Sequence, residues 1–173
     1  GSTLEEVMQL AQEIEKAGAT IINTGIGWHE ARIPTIATKV PRAAFTWVTE
    51  KLKGSVKVPF ITSNRINTPE MAEYVLAAGH ADMVSMARPM LADAEFVVKA
   101  EQGRSDEINT CIGCNQACLD HIFSMKIATC LVNPRACYET ELIFKEVSTP
   151  KNIAVIGAGP AGLSFAIYAA GRG

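Results

Sequence analysis

The chain has 173 residues, of which 48% are hydrophobic and 20% are charged, and its formal net charge is −2. These values are ordinary for a globular protein and argue against a nucleic-acid-binding or membrane-surface protein. No apolar run reaches the ~20 residues that a membrane span needs. Because the first residues also lack the basic and apolar regions of a secretory signal, we expect a cytoplasmic protein.

The first hundred residues repeat a pattern of an amphipathic helix, a glycine and a short apolar strand. Thr3 and Glu6 form a T-x-x-E capping box at the start of the first helix. Further helices are predicted from Pro41 to Gly54, from Thr68 to Gly79 and over 91–102, and strands over 19–23, 58–62 and 81–86. This alternation predicts an α/β fold with a parallel sheet and helices outside it.

Two architectures satisfy that pattern, a doubly wound sheet and a (β/α)₈ TIM barrel. A barrel has eight strands in about 250 residues. Since this sequence predicts three, a barrel would be represented here by its C-terminal part, over residues 1–103.

The stretch 104–150 has little periodicity and carries the pattern C-x2-C-x3-C-x11-C, formed by Cys111, Cys114, Cys118 and Cys130. Four thiolates suit zinc or an iron–sulfur cluster. The usual zinc pattern has two matched C-x2-C pairs, so this arrangement of three ligands plus one favours a [4Fe–4S] cluster. Zinc and unliganded cysteines remain alternatives, and Cys137 is interpreted as an ordinary small residue.

Residues 151–173 predict a strand at 153–156, then a G-x-G-x-x-G turn, then a helix. Gly157 permits the tight turn, Gly159 lets a pyrophosphate approach the backbone, and Gly162 lets helix and strand pack closely. In this context the motif indicates the start of a Rossmann-like dinucleotide-binding domain, and its Gly-Ala-Gly-Pro-Ala-Gly form is typical of FAD domains. The alternative is a purely structural turn.

Three strand-end loops carry polar side chains, and in (β/α)₈ enzymes such loops form the active site. Arg65 and Arg88 each follow a strand, and two such arginines suit a flavin phosphate or ring edge. Surface arginines that pair with helix-end charges are the alternative. The loop after the first strand carries His29, which could act as an acid or a hydrogen-bond donor, although a lone histidine is often structural.

Together these features resemble the bacterial NADPH-dependent 2,4-dienoyl-CoA reductases. These enzymes join an old-yellow-enzyme-type barrel to an iron–sulfur loop and an FAD/NADPH domain. The resemblance covers essentially the whole chain and is most specific at 24–34, 62–67, 83–89 and 111–118. It implies that electrons pass from NADPH through FAD, the cluster and FMN to an acyl-CoA substrate.

The resemblance also implies roles for individual residues. His29 matches the catalytic histidine, which donates a hydrogen bond to the thioester carbonyl. The substrate-contacting positions are Glu30, Ala31, Arg32 and Ile33; the FMN-binding positions are Arg65, Ala87 and Arg88; and the cluster ligands are the four cysteines Cys111, Cys114, Cys118 and Cys130.

The family's catalytic tyrosine has no counterpart here, and most of the FAD site and the NADPH site are absent, so this segment alone is expected to be inactive. Two alternatives stay open. One is a related flavin- and cluster-containing reductase or dehydrogenase that acts on another enone or an amine. The other is a zinc-stabilised α/β binding module without redox chemistry. The sequence indicates neither the oligomeric state nor a preferred acyl-chain length.

Overall fold

The computed structural model describes residues 1–173, which divide into one unit of residues 1–137 and a second of residues 138–173. The first unit contains three strands, namely β1 (Ile22–Asn23), β2 (Phe60–Thr62) and β3 (Met83–Val84). They pair in parallel in the order β1-β2-β3. Sequential parallel neighbours joined by helices are the arrangement found in a (β/α) barrel.

Six helices accompany this sheet, and a single turn of 3₁₀ helix precedes the cysteines. The helices are α1 (Leu4–Lys16), α2 (Thr46–Leu52), α3 (Pro69–Ala77), α4 (Arg88–Ala92), α5 (Phe96–Glu101) and α6 (Leu119–Phe123), and the 3₁₀ turn is Ser105–Glu107. None of the helices is both long enough and apolar enough to cross a bilayer.

The start of α1 confirms the predicted capping box. The Thr3 hydroxyl accepts a hydrogen bond from the Glu6 backbone N–H at 3.2 Å, and the Thr3 N–H donates to the Glu6 carboxylate at 2.7 Å. The two bonds satisfy N–H groups that a helix start otherwise leaves without partners. At α3, the Thr68 hydroxyl caps the helix by accepting a hydrogen bond from the Met71 N–H, and Pro69 occupies the first turn.

Apolar side chains between the sheet and the helices form two clusters. In the first, Ala11 of α1 and Leu52 of α2 pack on Phe60 of β2. In the second, Val75 of α3 packs with Ile66 and Ala81. Phe60 and Val75 are 1% and 0% exposed. These contacts fix the strands relative to the helices and so determine where the strand-end loops lie.

Two of the predicted helices differ from the structure. The helix expected from Pro41 begins only at Thr46, because Ala43 adopts a positive φ of 57° that interrupts helical backbone. The helix expected over 91–102 is divided into α4 and α5. The Asp93 carboxylate accepts a hydrogen bond from the Glu95 N–H at 2.9 Å, and this local bond competes with continued helix.

The second unit contains α7 (Pro160–Ala170), which follows the glycine turn. A Cβ at position 162 would overlap the Gly157 carbonyl oxygen, so this contact requires glycine. The predicted strand at 153–156 is wrong for this structure, where the segment has no strand assignment. Strand geometry is stabilised by a hydrogen-bonded neighbour, and the only parallel ladders in the structure join β1, β2 and β3.

Candidate functional site

Hydroxyl groups tie the carboxyl ends of β1 and β2 together. The Thr24 hydroxyl donates to the Ile61 carbonyl at 2.8 Å, and the Ser63 hydroxyl donates to the Thr24 carbonyl at 2.8 Å. The Asn64 side-chain amide also donates to the Ile26 carbonyl. Because these bonds join the segment after β1 to β2 and to the loop after β2, the loop that carries His29 is held beside the loop that carries Arg65.

The His29 loop is folded back on itself. The Thr35 N–H donates to the Trp28 carbonyl at 3.2 Å, and Trp28 and Pro34 form an isolated bridge. Gly27 has a φ of 90°, and a Cβ there would lie 2.6 Å from the Thr35 side chain. The closed loop therefore requires glycine at position 27.

Aromatic rings flank the imidazole of His29. Its centroid lies 4.6 Å from a ring of Trp28 and 5.3 Å from the ring of Phe123, which is in α6 just after the third cysteine. His29 is half-buried, whereas Trp28 and Phe123 are mostly exposed. The cysteine segment thus contributes a residue to the surroundings of the predicted catalytic histidine.

The four predicted substrate-binding residues, at positions 30 to 33, lie on the outside of this loop. Glu30, Ala31, Arg32 and Ile33 are all exposed. The Trp28 indole N–H donates to the Glu30 carboxylate at 3.2 Å, which orients that side chain. A surface loop of this kind offers both charged and apolar groups to a ligand.

The predicted FMN-binding residues lie around one strand-end cavity. Arg65, Ala87 and Arg88 line it together with Ser63 and Ser85. Asn64 and Arg65 have positive φ values of 71° and 56°. Such backbone conformations cost roughly 1–3 kcal/mol each and persist where surrounding structure enforces them, often at functional sites.

The four cysteines of the predicted metal site line a second cavity. Cys111, Cys114, Cys118 and Cys130 surround it, and Arg88 and Leu91 contribute to its wall. Burial raises the pKa of the Cys130 thiol, and the nearby Cys111 and Cys114 raise it further. Metal binding at this cavity would displace the thiol protons.

The spacing of the thiols matters for the kind of metal centre. No three cysteine, histidine or carboxylate side chains are gathered closely enough to hold one metal ion. A four-iron cluster is larger than a single ion, and each thiolate binds a different iron, so its ligands surround a wider space. Four cysteine thiols that line one cavity are a ligand set that suits such a cluster.

Side-chain hydrogen bonds attach the cysteine loop to the strand-end loops. The Asn67 amide donates to the Cys111 carbonyl at 2.7 Å, and the Thr38 hydroxyl donates to the Ile112 carbonyl at 2.6 Å. The Asn115 amide donates to the Ile36 carbonyl at 2.8 Å. The side-chain oxygens of Asn67 and Asn115 are buried without a hydrogen-bond partner, which is uncommon and marks this junction as a place where a further donor could bind.

The sequence pattern did not identify Phe123, Asn67, Thr38 or Asn115 as site residues. Asn67 follows Arg65 by two positions in a strand-end loop, which is a usable signal. Thr38 and Asn115 are 74 and 79 residues away in sequence from the residues that they contact. Phe123 is 94 residues away from His29. Only the folded chain reveals these contacts.

The glycines predicted to bind FAD lie in the second unit. Gly157 has a φ of 103°, and Gly159 is the residue before the first turn of α7. The N-terminus of an 11-residue helix provides backbone N–H groups of the kind that bind phosphate.

Fold and site together define the class of protein: an α/β-barrel oxidoreductase segment with a cysteine-rich loop attached at the strand ends. The chain belongs to the NADH:flavin oxidoreductase / NADH oxidase family, whose sequence profile matches residues 1–107. This membership and the structural similarity below confirm a TIM-barrel-type fold rather than a doubly wound sheet.

Individual relatives match nearly the whole chain. The metal reductase of Desulforamulus reducens is 47% identical over 171 residues, which is 99% of this chain and 26% of that protein. The NADH oxidase of Thermoanaerobacter brockii is 37% identical over 179 residues, covering 100% of this chain and 27% of that protein. A solved 2-naphthoyl-CoA reductase complex superposes with a TM-score of 0.94 and 33% identity over 100% of this chain and 27% of that chain. The chain thus spans about a quarter of the length of the proteins it matches.

Proposed function

We propose that this chain is part of a cytoplasmic NADPH-dependent 2,4-dienoyl-CoA reductase and contributes its substrate loop, part of its FMN site and its iron–sulfur site. The observation that carries the proposal is that Arg88 lines both the strand-end cavity and the four-thiol cavity. The residues that would hold FMN and the residues that would hold the cluster therefore adjoin at Arg88.

The residues suit these cofactors in chemical terms. Arg65, Ala87 and Arg88 would hold FMN, the four cysteines would hold a [4Fe–4S] cluster, and Gly157, Gly159 and Gly162 would contact FAD. When bound, the flavins supply hydride transfer and the cluster supplies single-electron transfer between them. The arginines contribute permanent positive charge, which favours an anionic phosphate or an electron-rich ring edge.

His29 is proposed to hold the substrate thioester. Its imidazole would donate a hydrogen bond to the carbonyl oxygen and provide a proton as charge develops there. Contact with the Trp28 and Phe123 rings restricts rotation of the imidazole. The exposed residues Glu30–Ile33 would contact parts of the acyl-CoA other than the thioester that His29 holds.

The test uses the intact protein that contains this chain, purified without oxygen. Iron, zinc and both flavins are quantified, and NADPH- and NADH-dependent turnover is measured with 2,4-dienoyl-CoA, 2-naphthoyl-CoA, a simple enone and an alkylamine. We expect about four irons, one FMN and one FAD per chain, and preferred turnover of the dienoyl-CoA. A colourless protein with one zinc would instead support the non-catalytic binding module, and preferred oxidation of the amine would support the dehydrogenase alternative.

A second candidate is reduction of metal ions. It is favoured by the 47% identity to a metal reductase over nearly the whole chain. Chelated ferric iron is therefore added to the substrate panel. Reduction of ferric iron by a protein that leaves all acyl-CoA substrates unchanged would replace the proposed function with this one.

A further inference from the structure

We propose that the Arg65 guanidinium serves the iron–sulfur centre as well as the flavin cavity, by neutralising the cysteine loop and raising the reduction potential of the bound cluster. The inference rests on the proposed function, because it requires that the four cysteines hold a cluster. It adds an electrostatic role to a residue that the sequence predicts only as an FMN ligand.

The position of Arg65 supports this second role. The residue is 9% exposed, and its Nε donates to the Val40 carbonyl at 2.8 Å. Its Nη1 would be 3.0 Å from a Cβ built at Gly113, which lies between two of the cysteines. The guanidinium is therefore packed against the backbone of the cysteine loop, while the residue also lines the strand-end cavity.

The charge of Arg65 has no carboxylate partner. None of the ion pairs in the structure includes it. Burial lowers the pKa of Arg65, and the charge of the nearby Cys111 sulfur opposes that effect. A buried cation without a carboxylate partner is costly, and a cluster bound by the four cysteines would supply the negative charge that this position lacks.

A fixed cation near a cluster changes its electron affinity. The reduced cluster carries one more negative charge than the oxidised cluster, and a nearby guanidinium stabilises it more. Cluster potentials follow net charge, hydrogen bonding and solvent exposure around the sulfurs. Removal of the Arg65 charge should therefore make the cluster harder to reduce.

The experiment compares Arg65→Met, Arg65→Lys and the control Arg42→Gln in the intact, anaerobically purified protein. Arg42 is an exposed arginine that interacts electrostatically with Arg65, so it tests whether any nearby charge has the same effect. Iron and flavin contents are measured first. The cluster midpoint potential is then measured by redox titration with detection by electron paramagnetic resonance.

We expect a more negative midpoint potential in Arg65→Met, a smaller change in Arg65→Lys, and no change in Arg42→Gln, where water screens the charge. Loss of the cluster in Arg65→Met but not in Arg65→Lys would also support a charge role. An unchanged potential in an iron-replete Arg65→Met protein would overturn the inference, as would equal loss of iron and flavin in both Arg65 variants. If the wild-type protein binds no cluster, the proposed function itself fails.

Discussion

At the scale of single residues, the clearest contrast is between His29 and His80. The His29 ring contacts Trp28 and Phe123 in a strand-end loop. His80 lies just after α3 and contacts two helices: its Nδ1 is 3.0 Å from the hydroxyl of Thr46 in α2, and its ring meets that of Tyr74 in α3 edge-on. Only His29 combines an aromatic surrounding with a position among the predicted substrate-binding residues.

Replacement of His29 by alanine in the intact protein should lower kcat by roughly 10²-fold or more, because a positioned proton donor contributes about that much. FMN content should stay near the wild-type level, since the proposed FMN-binding residues Arg65, Ala87 and Arg88 lie on other loops. Steady-state kinetics and flavin quantification measure the two effects. The control His80→Gln should reduce stability rather than turnover, and parallel loss of FMN in His29→Ala would make His29 a scaffold residue.

At the scale of secondary-structure elements, the junction between α4 and α5 is held by one buried ion pair. The Lys99 ammonium lies 2.7 Å from the Asp93 carboxylate, and the side chains are 13% and 4% exposed. The same carboxylate accepts hydrogen bonds from the N–H groups of Glu95 and Asn109 at 2.9 Å each. Asp93 therefore joins two helices to the start of the cysteine segment.

Substitution of Asp93 by asparagine should cost about 3 kcal/mol of stability near neutral pH, because it leaves Lys99 buried without its partner. Burial alone would raise the pKa of Asp93, but the bonds from Lys99, Asn109 and Glu95 hold it below its usual value. Because the pKa of Asp93 is lower in the folded state, the ionised carboxylate stabilises the fold. This contribution to the free energy of unfolding is fully present above the ordinary aspartate pKa of about 3.9 and is lost as the pH falls through the folded-state pKa.

The difference between wild type and Asp93→Asn should consequently shrink below about pH 4. Urea denaturation at a series of pH values measures it. Glu13→Gln, which removes an exposed pair with Lys16, is the matched control and should cost under about 0.5 kcal/mol. A constant difference between wild type and Asp93→Asn across the acid range would contradict this assignment of the pKa.

The helix α6 makes a second prediction at this scale, because its Phe123 contacts the His29 ring. Phe123→Ala should lower kcat several-fold by freeing the imidazole, while iron content remains at the wild-type level. The neighbouring exposed Ile122 provides the control Ile122→Ala, for which we expect unchanged kinetics. Kinetics together with iron analysis separate this effect from general damage to the cysteine segment; loss of iron in Phe123→Ala would reveal such damage.

At the scale of the whole molecule, the proposed connection between cofactors depends on the cysteine cavity. Cys114→Ser in the intact protein should lower iron content and block FMN reduction, while NADPH still reduces FAD, since the glycine turn lies elsewhere in the chain. Stopped-flow absorbance follows the two flavins. Cys137→Ser alters the one cysteine outside the cavity and should leave both steps unchanged. Rapid FMN reduction in the Cys114 variant would refute the connection through the cluster.

Much of this architecture is encoded locally and could be predicted. The capping box at Thr3, the proline at the start of α3 and the alternation of helices with apolar strands depend on neighbours within a few residues. The cysteine spacing likewise indicates a metal centre, because the type and interval of the ligands are properties of the chain itself. Local propensity failed at Ala43 and Asp93, where a positive φ and a side-chain hydrogen bond interrupt helices that composition alone predicts.

By itself, the sequence determined the α/β class, the four-thiol motif and the chemistry of the strand-end residues, because these follow from short-range pattern and side-chain type. Only the tertiary structure decided that Arg65 packs on the cysteine loop, that Arg88 borders two cavities and that Phe123 meets His29. Such contacts join residues far apart in sequence. They arise from the parallel pairing of β1, β2 and β3, which brings the ends of the strands to one edge of the sheet.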